Sequence, residues 1–411
     1  EIWLASRLDA QAAPAFNESC SLTFRGPFRS DALTVALRQL VERHEALRTS
    51  ISVSGETQVV HPATAPFLAV EDLSGLAPAA REQRLAASIR EEVQQPFDLA
   101  STPLLRGRLF KLAAGEHVLA LTAHHIVCDG WSYDVMVRDL GVLYSQACRG
   151  ERDQRPPPTQ FRDYAQRMGA YRREARYDAD LAFWMERLAS PPTALQLPLD
   201  RARPPLRSFQ GAMDVARIEE PLYSALKELG TRQRCTFFAT LMAVYAVLLH
   251  RLSGQSDLII GIPAAGQQLM EGQDLVGHCA NLLPLRLRID PERPFTELLA
   301  ATQRALLDAY EHQGLTFGAL LKALQLPRDP SRSPLIQVTF NVDPAIHGLQ
   351  FEGLATELVI NPRSAYQFEH SLNLVAHADH LRVETNFNTD LFDQTTVARW
   401  AGHLREIARA A

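Results

Sequence analysis

His117-Val118-Leu119-Ala120-Leu121-Thr122-Ala123-His124-His125-Ile126-Val127-Cys128-Asp129-Gly130-Trp131-Ser132 reads as a buried strand that runs directly into a helix. The apolar run 117–123 has the length of one strand, and Arg106 to Leu112 ahead of it, across Ala114-Gly115-Glu116, completes a hairpin. From about Tyr133 to Ala147, Val135, Leu140, Leu143 and Tyr144 fall on one helical face. Ser132 is a candidate cap and Gly150 a candidate stop.

Within this stretch His124-His125-x-x-x-Asp129-Gly130 carries the chemistry. Consecutive strand residues point to opposite faces, so His124 and His125 do not share one target. One imidazole can enter a cleft while the other packs beneath it. A group titrating near neutrality is suited to taking a proton from an amine or hydroxyl as it attacks a thioester. Asp129 can pair with an arginine and hold the turn, and Gly130 lets the backbone come close. Other readings stay open at this point: two hydrogen-bonded core histidines with Asp129 as a helix cap, a metal set, or Cys128 as a thiol nucleophile. Side-chain directions disagree for a metal set, and no local signature places a partner for the thiol.

Upstream, Leu33, Leu37, Leu40, Val41, His44 and Leu47 recur at helical spacing behind Ser30, a candidate cap; His44 reads as a satisfied core histidine on that stripe. Short strands at Val59-Val60 and from Phe67 to Val70 follow, then a helix from Pro78 to Val93, ended by Pro96. Downstream, residues 150–159, with Pro156-Pro157-Pro158, read as a stiff interlobe connection. A helical stretch runs from Phe161 to about Leu188. The second half alternates helices at 236–252, 294–310 and 395–410 with strands at 258–263, 282–287, 336–342, 370–376 and 380–386. Helices interleaved with strands in both halves imply an α/β protein of two layered lobes, 1–170 and 171–411.

The 411 residues are enough for two cores. A hydrophobic fraction of 46% and a net charge of −5 lack the basic excess that phosphate-backbone binding needs, so nucleic acid is not expected as a partner. Five scattered cysteines without a C-x-x-C pair fit reduced thiols in the cytoplasm. The apolar stretch Thr236 to Leu249 is too short to span a bilayer, so no membrane is expected. Glu1-Ile2-Trp3-Leu4 lacks secretory features and reads as a cut inside a longer polypeptide.

His124 to Ser132 resembles the histidine-rich core motif of condensation domains in nonribosomal peptide synthetases, a superfamily that includes chloramphenicol acetyltransferase. Other stretches match in the family's order. Arg43-His44-Glu45-Ala46-Leu47-Arg48-Thr49 is similar to the second motif and Phe161-Arg162-Asp163-Tyr164-Ala165 to the fourth. Val276-Gly277-His278-Cys279-Ala280-Asn281 is similar to the fifth, His312-Gln313 begins something like the sixth, and 328–335 resembles the seventh. Gly314 stands where the sixth motif commonly carries Asp. Cys279-Ala280 replaces bulkier residues, a pattern more frequent in condensation domains fed by polyketide modules. His124 in the first signature position sets the chain apart from the heterocyclising branch, and Gly130 from epimerisation domains.

The resemblance implies two chloramphenicol acetyltransferase-like lobes arranged as a V with the active site at their junction. It implies amide formation between a thioester donor and an aminoacyl acceptor, each carried on the phosphopantetheine of a carrier protein, upstream and downstream, within a synthetase of adjoining domains. No cofactor or metal is bound directly. His125 is then the base, with His124, Asp129 and Gly130 completing the catalytic motif. Arg48 and Arg43 support the turn together with Trp131 and Ser132, and Arg48 is the expected partner of Asp129. Asn281, in a crossover that latches the lobes, joins Arg328 and Ser371 as channel or latch candidates. Two rival expectations are an acyltransferase that uses a free alcohol or amine and a non-catalytic docking domain.

Overall fold

A computed structural model describes residues 2–8, 12–64, 68–270, 274–346 and 348–411. In chain order the main elements are α1 (Ile2–Leu8), β1 (Asn17–Arg25), α2 (Ser30–Arg43), β2 (Thr49–Ile51), β3 (Gln58–Val60), β4 (Leu68–Asp72), α3 (Pro78–Gln94), β5 (Leu105–Ala113), β6 (Glu116–His124), α4 (Gly130–Arg149) and α5 (Phe161–Tyr171). Then follow α6 (Ala175–Arg187), β7 (Gly211–Glu219), α7 (Leu222–Arg232), α8 (Phe237–Ser253), β8 (Asp257–Ala264), β9 (Asn281–Arg288), α9 (Phe295–Glu311), α10 (Phe317–Leu324), β10 (Val338–Pro344), β11 (Ala355–Ile360), β12 (His370–Ala376), β13 (His380–Asn388) and α11 (Gln394–Ala410). The expected strand from Phe67 begins at Leu68, and residue 67 lies outside the described residues.

The chain forms two compact units. The first comprises Glu1–Gly169, Gln267–Ala280 and Ile346–Ser364; the second comprises the remaining three segments. Two segments expected within 171–411 thus belong to the first unit. The reason is packing: β11 pairs antiparallel with β1, from Cys20↔Ile360 to Arg25↔Ala355. Phe351 sits in the first core, with ring centroids 4.9 Å from Phe24 and 5.6 Å from Tyr144. Gly141 on α4 makes room for this crossing, since a Cβ there would lie 2.5 Å from the Gln350 carbonyl oxygen.

Among the described residues the first unit's sheet has the order β11-β1-β6-β5-β4. The hairpin expected from sequence is β5–β6, antiparallel from Leu105↔Ala123. Alternation along β6 explains its burial on both faces. Leu119, Leu121 and Ala123 join the core made with α2 and α4, while Val118 and Ala120 join Leu73, Phe110, Leu85 and Ile89 over the α3 side. Each fully buried Leu of this kind contributes about 1.5–3 kcal/mol. The face on which each residue falls also decides the fate of the two histidines at the strand's end.

Several sequence expectations are corrected in this unit. The segment 150–159 is not an interlobe connection: Arg155 pairs with Asp139 and Asp153, and Arg43 donates to Asp139, Asp153 and the Pro156 carbonyl, so ion pairs fasten it to α2 and α4. Ser30 is the first residue of α2 and gives no capping bond. The helical stretch 161–188 is two helices, α5 and α6. Gly150, at φ 70°, ends α4 as expected.

In the second unit the sheet order is β7-β13-β12-β10-β8-β9. β10 runs parallel to β12 and β8, and the other pairings are antiparallel. Its core gathers α8 residues such as Leu241, Met242, Val244 and Tyr245 with Ile260, Phe340, Leu372 and Trp400. α8 is a buried core helix. No single described helix is long and apolar enough to cross a membrane, and α7 with α8 is bent by 108°.

Candidate active site around the strand-to-helix turn

The site belongs to the first unit and is built where β6 ends. The last strand residue, His124, keeps the parity of Val118 and Ala120. Its ring is buried at 2% exposure, stacked on Phe16 and edge-on to Phe97, with centroids 6.1 and 6.0 Å away. The Ile126 amide donates to its Nδ1 at 3.1 Å, so in the neutral ring the proton resides on Nε2. Burial, reinforced by the charges of His125 and Arg106, pulls its pKa down to about 3. His124 is a neutral structural residue at physiological pH.

His125 turns the other way. Its amide donates to the Phe16 carbonyl at 2.7 Å, and its Nδ1 lies 2.7 Å from the Cys128 carbonyl oxygen. A carbonyl only accepts, so Nδ1 carries the hydrogen and Nε2 keeps the lone pair of the neutral imidazole. The side chain retains 20% exposure. An oriented, partly accessible imidazole with a free lone pair on Nε2 can take a proton from a bound nucleophile.

Asp129 is the α4 cap in place of Ser132, and α4 begins at Gly130. Its Oδ1 accepts from the Ser132 amide at 2.9 Å and hydroxyl at 2.8 Å; Oδ2 accepts from the amides of Cys279 and Ala280, both at 3.0 Å. The Gln267 side-chain amide reaches both oxygens, at 3.0 and 2.9 Å. The expected arginine partner is therefore wrong. Neutral donors and the helix N-terminus hold this buried carboxylate. Arg48 instead donates to the His61 carbonyl at 2.7 Å. Arg43 sits with His44 on Asp139, at 2.9 and 2.7 Å. Burial alone would raise the Asp139 pKa, but His44 and Arg155 bring it down to about 2.

Ser132, fully buried, also exchanges hydrogen bonds with the Gly277 backbone at 2.9 and 3.1 Å. Residues 277–280 are thus laced to the turn by Ser132 and Asp129 together. This places His278 edge-on to His125, with ring centroids 4.7 Å apart. Burial first, then His125, drives the His278 pKa well below its ordinary value, and its Nδ1 is buried without a protein partner. Glu18 Oε1 lies 3.9 Å from His125 Nδ1 and accepts from Arg363 at 2.8 Å.

Gly130 does not serve a close approach of protein backbone, because a Cβ there meets nothing within 4 Å. Trp131 is 39% exposed. Cys128 is fully buried and its thiol contacts the His124 carbonyl at 3.5 Å. Burial, with Glu18 and Asp129 adding, raises its pKa well above the ordinary thiol, which disables it as a nucleophile. Among the described residues no three His, Cys, Asp or Glu side chains are grouped to hold a metal.

In the second unit, Asn281 donates from Nδ2 to the carbonyls of Gln313 and Leu315 at 2.9 and 2.7 Å, and its Oδ1 accepts from the Phe317 amide at 3.0 Å. It ties the start of β9 to the connection between α9 and α10. Ser371 lies on β12 opposite Thr339 and Asn386, and Arg328 is exposed in the loop after α10. Sequence reasoning quoted His278 only as part of the fifth motif, without a site role, and missed Glu18, Gln267 and Arg363 around the turn. The usable signal for Glu18 was the alternation of Cys20, Leu22 and Phe24, which marks β1; nothing local marks Gln267 or Arg363.

The family described as Condensation domain matches residues 1–411. Phosphinothricin tripeptide synthetase PhsC of Streptomyces viridochromogenes is 34% identical over 415 residues, covering all of this chain and 38% of that protein. A linear gramicidin synthase polypeptide of Brevibacillus parabrevis is also 34% identical over 415 residues, covering all of this chain and 5% of its own length. The chain thus spans a minor part of these relatives. Among solved structures, the X-domain of teicoplanin biosynthesis, in complex with OxyB, is 28% identical, with a TM-score of 0.86 over 99% of this chain and 90% of that one. The first condensation domain of the calcium-dependent antibiotic synthetase is 21% identical, with a TM-score of 0.85 over 99% and 93%, a likeness in fold alone.

Proposed function

The chain belongs to the condensation-domain family, and we propose that it forms an amide between an acyl or peptidyl thioester on an upstream carrier protein and an aminoacyl group on a downstream one, with His125 as base. The observation that carries this reading is the Nδ1 contact of His125 with the Cys128 carbonyl at 2.7 Å, which leaves Nε2 ready for a proton. The amine attacks the thioester carbonyl as Nε2 takes its proton. The C–N bond forms, the C–S bond breaks, and the imidazolium returns the proton to the departing phosphopantetheine thiolate. No acyl-enzyme is needed. Holding both tethered groups in line makes the step effectively unimolecular, and the base adds roughly 10²- to 10⁴-fold.

Phosphopantetheine enters on the carriers and not as a resident cofactor, and adjoining synthetase domains are the expected partners. The five cysteines are free thiols, which supports a cytoplasmic setting. Of the candidate supports, Asp129 and Ser132 hold the turn. Arg43 steadies the α2 end through Asp139. Asn281, Arg328 and Ser371 have no assigned step.

Intact-protein mass spectrometry of donor-loaded and acceptor-loaded carriers tests the reading. Wild-type protein should move the acyl group onto the downstream carrier, and His125→Ala should lose at least 10²-fold while staying folded. Turnover by His125→Ala at the wild-type rate sinks it. Transfer to a free amine in place of the loaded carrier points to the free-acceptor acyltransferase. The likeness to the X-domain, solved in complex with OxyB, favours a docking module as the second reading; binding of a partner enzyme with no amide formed supports that one. The complete His124-His125-x-x-x-Asp129-Gly130 motif, with its ordered imidazole, supports catalysis.

A further inference from the structure

Glu18, on β1, lies beside His125 and carries Arg363 as its ion-pair partner. Glu18 lies on that strand opposite Ala123 of β6. Its backbone carbonyl accepts from the Tyr133 hydroxyl at 2.5 Å, and the same hydroxyl accepts from the Ala123 amide at 3.0 Å. Arg363 follows Asn361, whose amide and side chain bind Ser19 at 3.0 and 2.9 Å and whose Oδ1 accepts from Ser21 at 2.8 Å. The carboxylate is therefore carried on β1 itself, and the guanidinium on the segment after β11, two residues past an Asn361 that is tied to β1. Burial alone would raise the Glu18 pKa. The Arg363 charge, then the His125 charge and the Arg363 hydrogen bond, overcome it and leave the pKa lowered.

We infer that Glu18 and Arg363 act as an opposed pair of positioning residues that sets the proton affinity of His125. The inference rests on reading His125 as the base. When Nε2 gains a proton the ring becomes a cation, with Glu18 Oε1 3.9 Å from Nδ1 and Arg363 on that same oxygen. Glu18 stabilises the imidazolium. Arg363 limits that stabilisation, so the ring takes a proton from the amine and then releases it. A lone carboxylate would hold the proton; a lone guanidinium would refuse it. The other ionisable neighbours contribute less. His124 on β6 and His278 on the 277–280 segment are kept neutral by burial, Cys128 is kept as the thiol, and Cys279 is likewise raised by burial. Arg106 on β5 spends its charge on Glu92, and Asp129 on the donors of its cap.

The test is an NMR titration of the His125 Cε1–H signal in the whole chain, assigned by its loss in His125→Gln, together with the pH profile of amide formation. Glu18→Gln should lower the His125 midpoint by about one pH unit, the low end for a charge 4–6 Å away, and Arg363→Gln, which leaves the Glu18 carboxylate without its cation beside the ring, should raise it. The double variant should return close to wild type, and Arg363→Lys should stay there. The acid limb of the rate profile should move with each midpoint. A structural role would instead weaken both single variants without moving their midpoints in opposite directions. Midpoints that stay put, or shift the same way, overturn the inference. Should Arg363→Gln fail to fold, a Glu18→Gln midpoint at or above wild type overturns it alone. If His125→Gln forms amide normally while the midpoints move as stated, the base reading fails and the opposed pair stands; if it is inactive and the midpoints do not move, only the pair fails.

Discussion

At the scale of single residues, the turn 124–132 assigns one task to each side chain by geometry. Asp129 accepts four hydrogen bonds from backbone and Ser132 donors besides those of Gln267. Asp129→Asn must face an amide NH₂ toward donors whichever way it turns, and should cost ~3 kcal/mol of stability, read as a lowered urea midpoint. Arg48→Ala belongs to a different network, its bond to the His61 carbonyl. A double-mutant cycle between the two should show additivity, and a coupling above about 0.5 kcal/mol would restore the arginine partnership. Cys128→Ser should keep most of the amide-forming activity, since the buried thiol is neutral and a hydroxyl can still donate to the His124 carbonyl. Loss of activity in a folded Cys128→Ser protein would bring the thiol back into the mechanism.

At the scale of elements, the site exists because a later segment is pinned to the β6–α4 turn. Gly277 lies under the ring of Phe161 at the start of α5: a Cβ there would be 2.2 Å from Phe161 Cδ2. Gly277→Ala must displace either the ring or the segment that carries His278. It should lower the melting temperature, and Phe161→Leu should recover part of the loss. Gly130 is the contrast, with open space around its would-be Cβ at the first turn of α4. Gly130→Ala should leave thermal stability within about 0.5 kcal/mol of wild type. A large loss there would mean that the turn tolerates no side chain for reasons of packing. The stretch after β8 supplies the Gln267 side chain and the amides of Cys279 and Ala280 to a carboxylate more than a hundred residues earlier in sequence.

For the whole molecule, each unit buries a histidine that ordinary titration would charge. Burial, then the charges of His125 and Arg106, holds His124 at about 3; burial holds His370, on β12 against the Tyr245 hydroxyl at 2.8 Å, at about 4. In the unfolded chain both titrate near 6.5. Above that pH neither state binds the extra proton and these residues leave stability unchanged. As pH falls below about 6.5 only the unfolded chain takes the protons up, so stability drops by ~1.4 kcal/mol per pH unit for each histidine, until the folded values of about 4 and 3 are reached. Urea midpoints between pH 7 and 4 should fall accordingly. His124→Gln, which keeps an acceptor for the Ile126 amide, should flatten the slope by one proton. An unchanged slope would mean that His124 already charges in the folded state.

The sequence by itself determined the elements and the chemical core. Periodicity placed β6, α4, α8 and α11 within a few residues, because a strand or helix with one buried face writes that face into its own spacing. The adjacency of His124 and His125 foretold their divergence, because alternation is a property of the strand. The ordered motifs, taken as a resemblance, named the family. Only the tertiary structure decided what is brought to that core from a distance. No local spacing says that Gln267 and the amides of Cys279 and Ala280 satisfy Asp129, that β11 returns to β1, that Arg43 and Arg155 fasten 150–159 through Asp139, or that Glu18 lies beside His125 and pairs with Arg363. Those partners come from elements far apart in the chain, and a buried charge takes whichever donors the packing presents, be they backbone amides or an arginine.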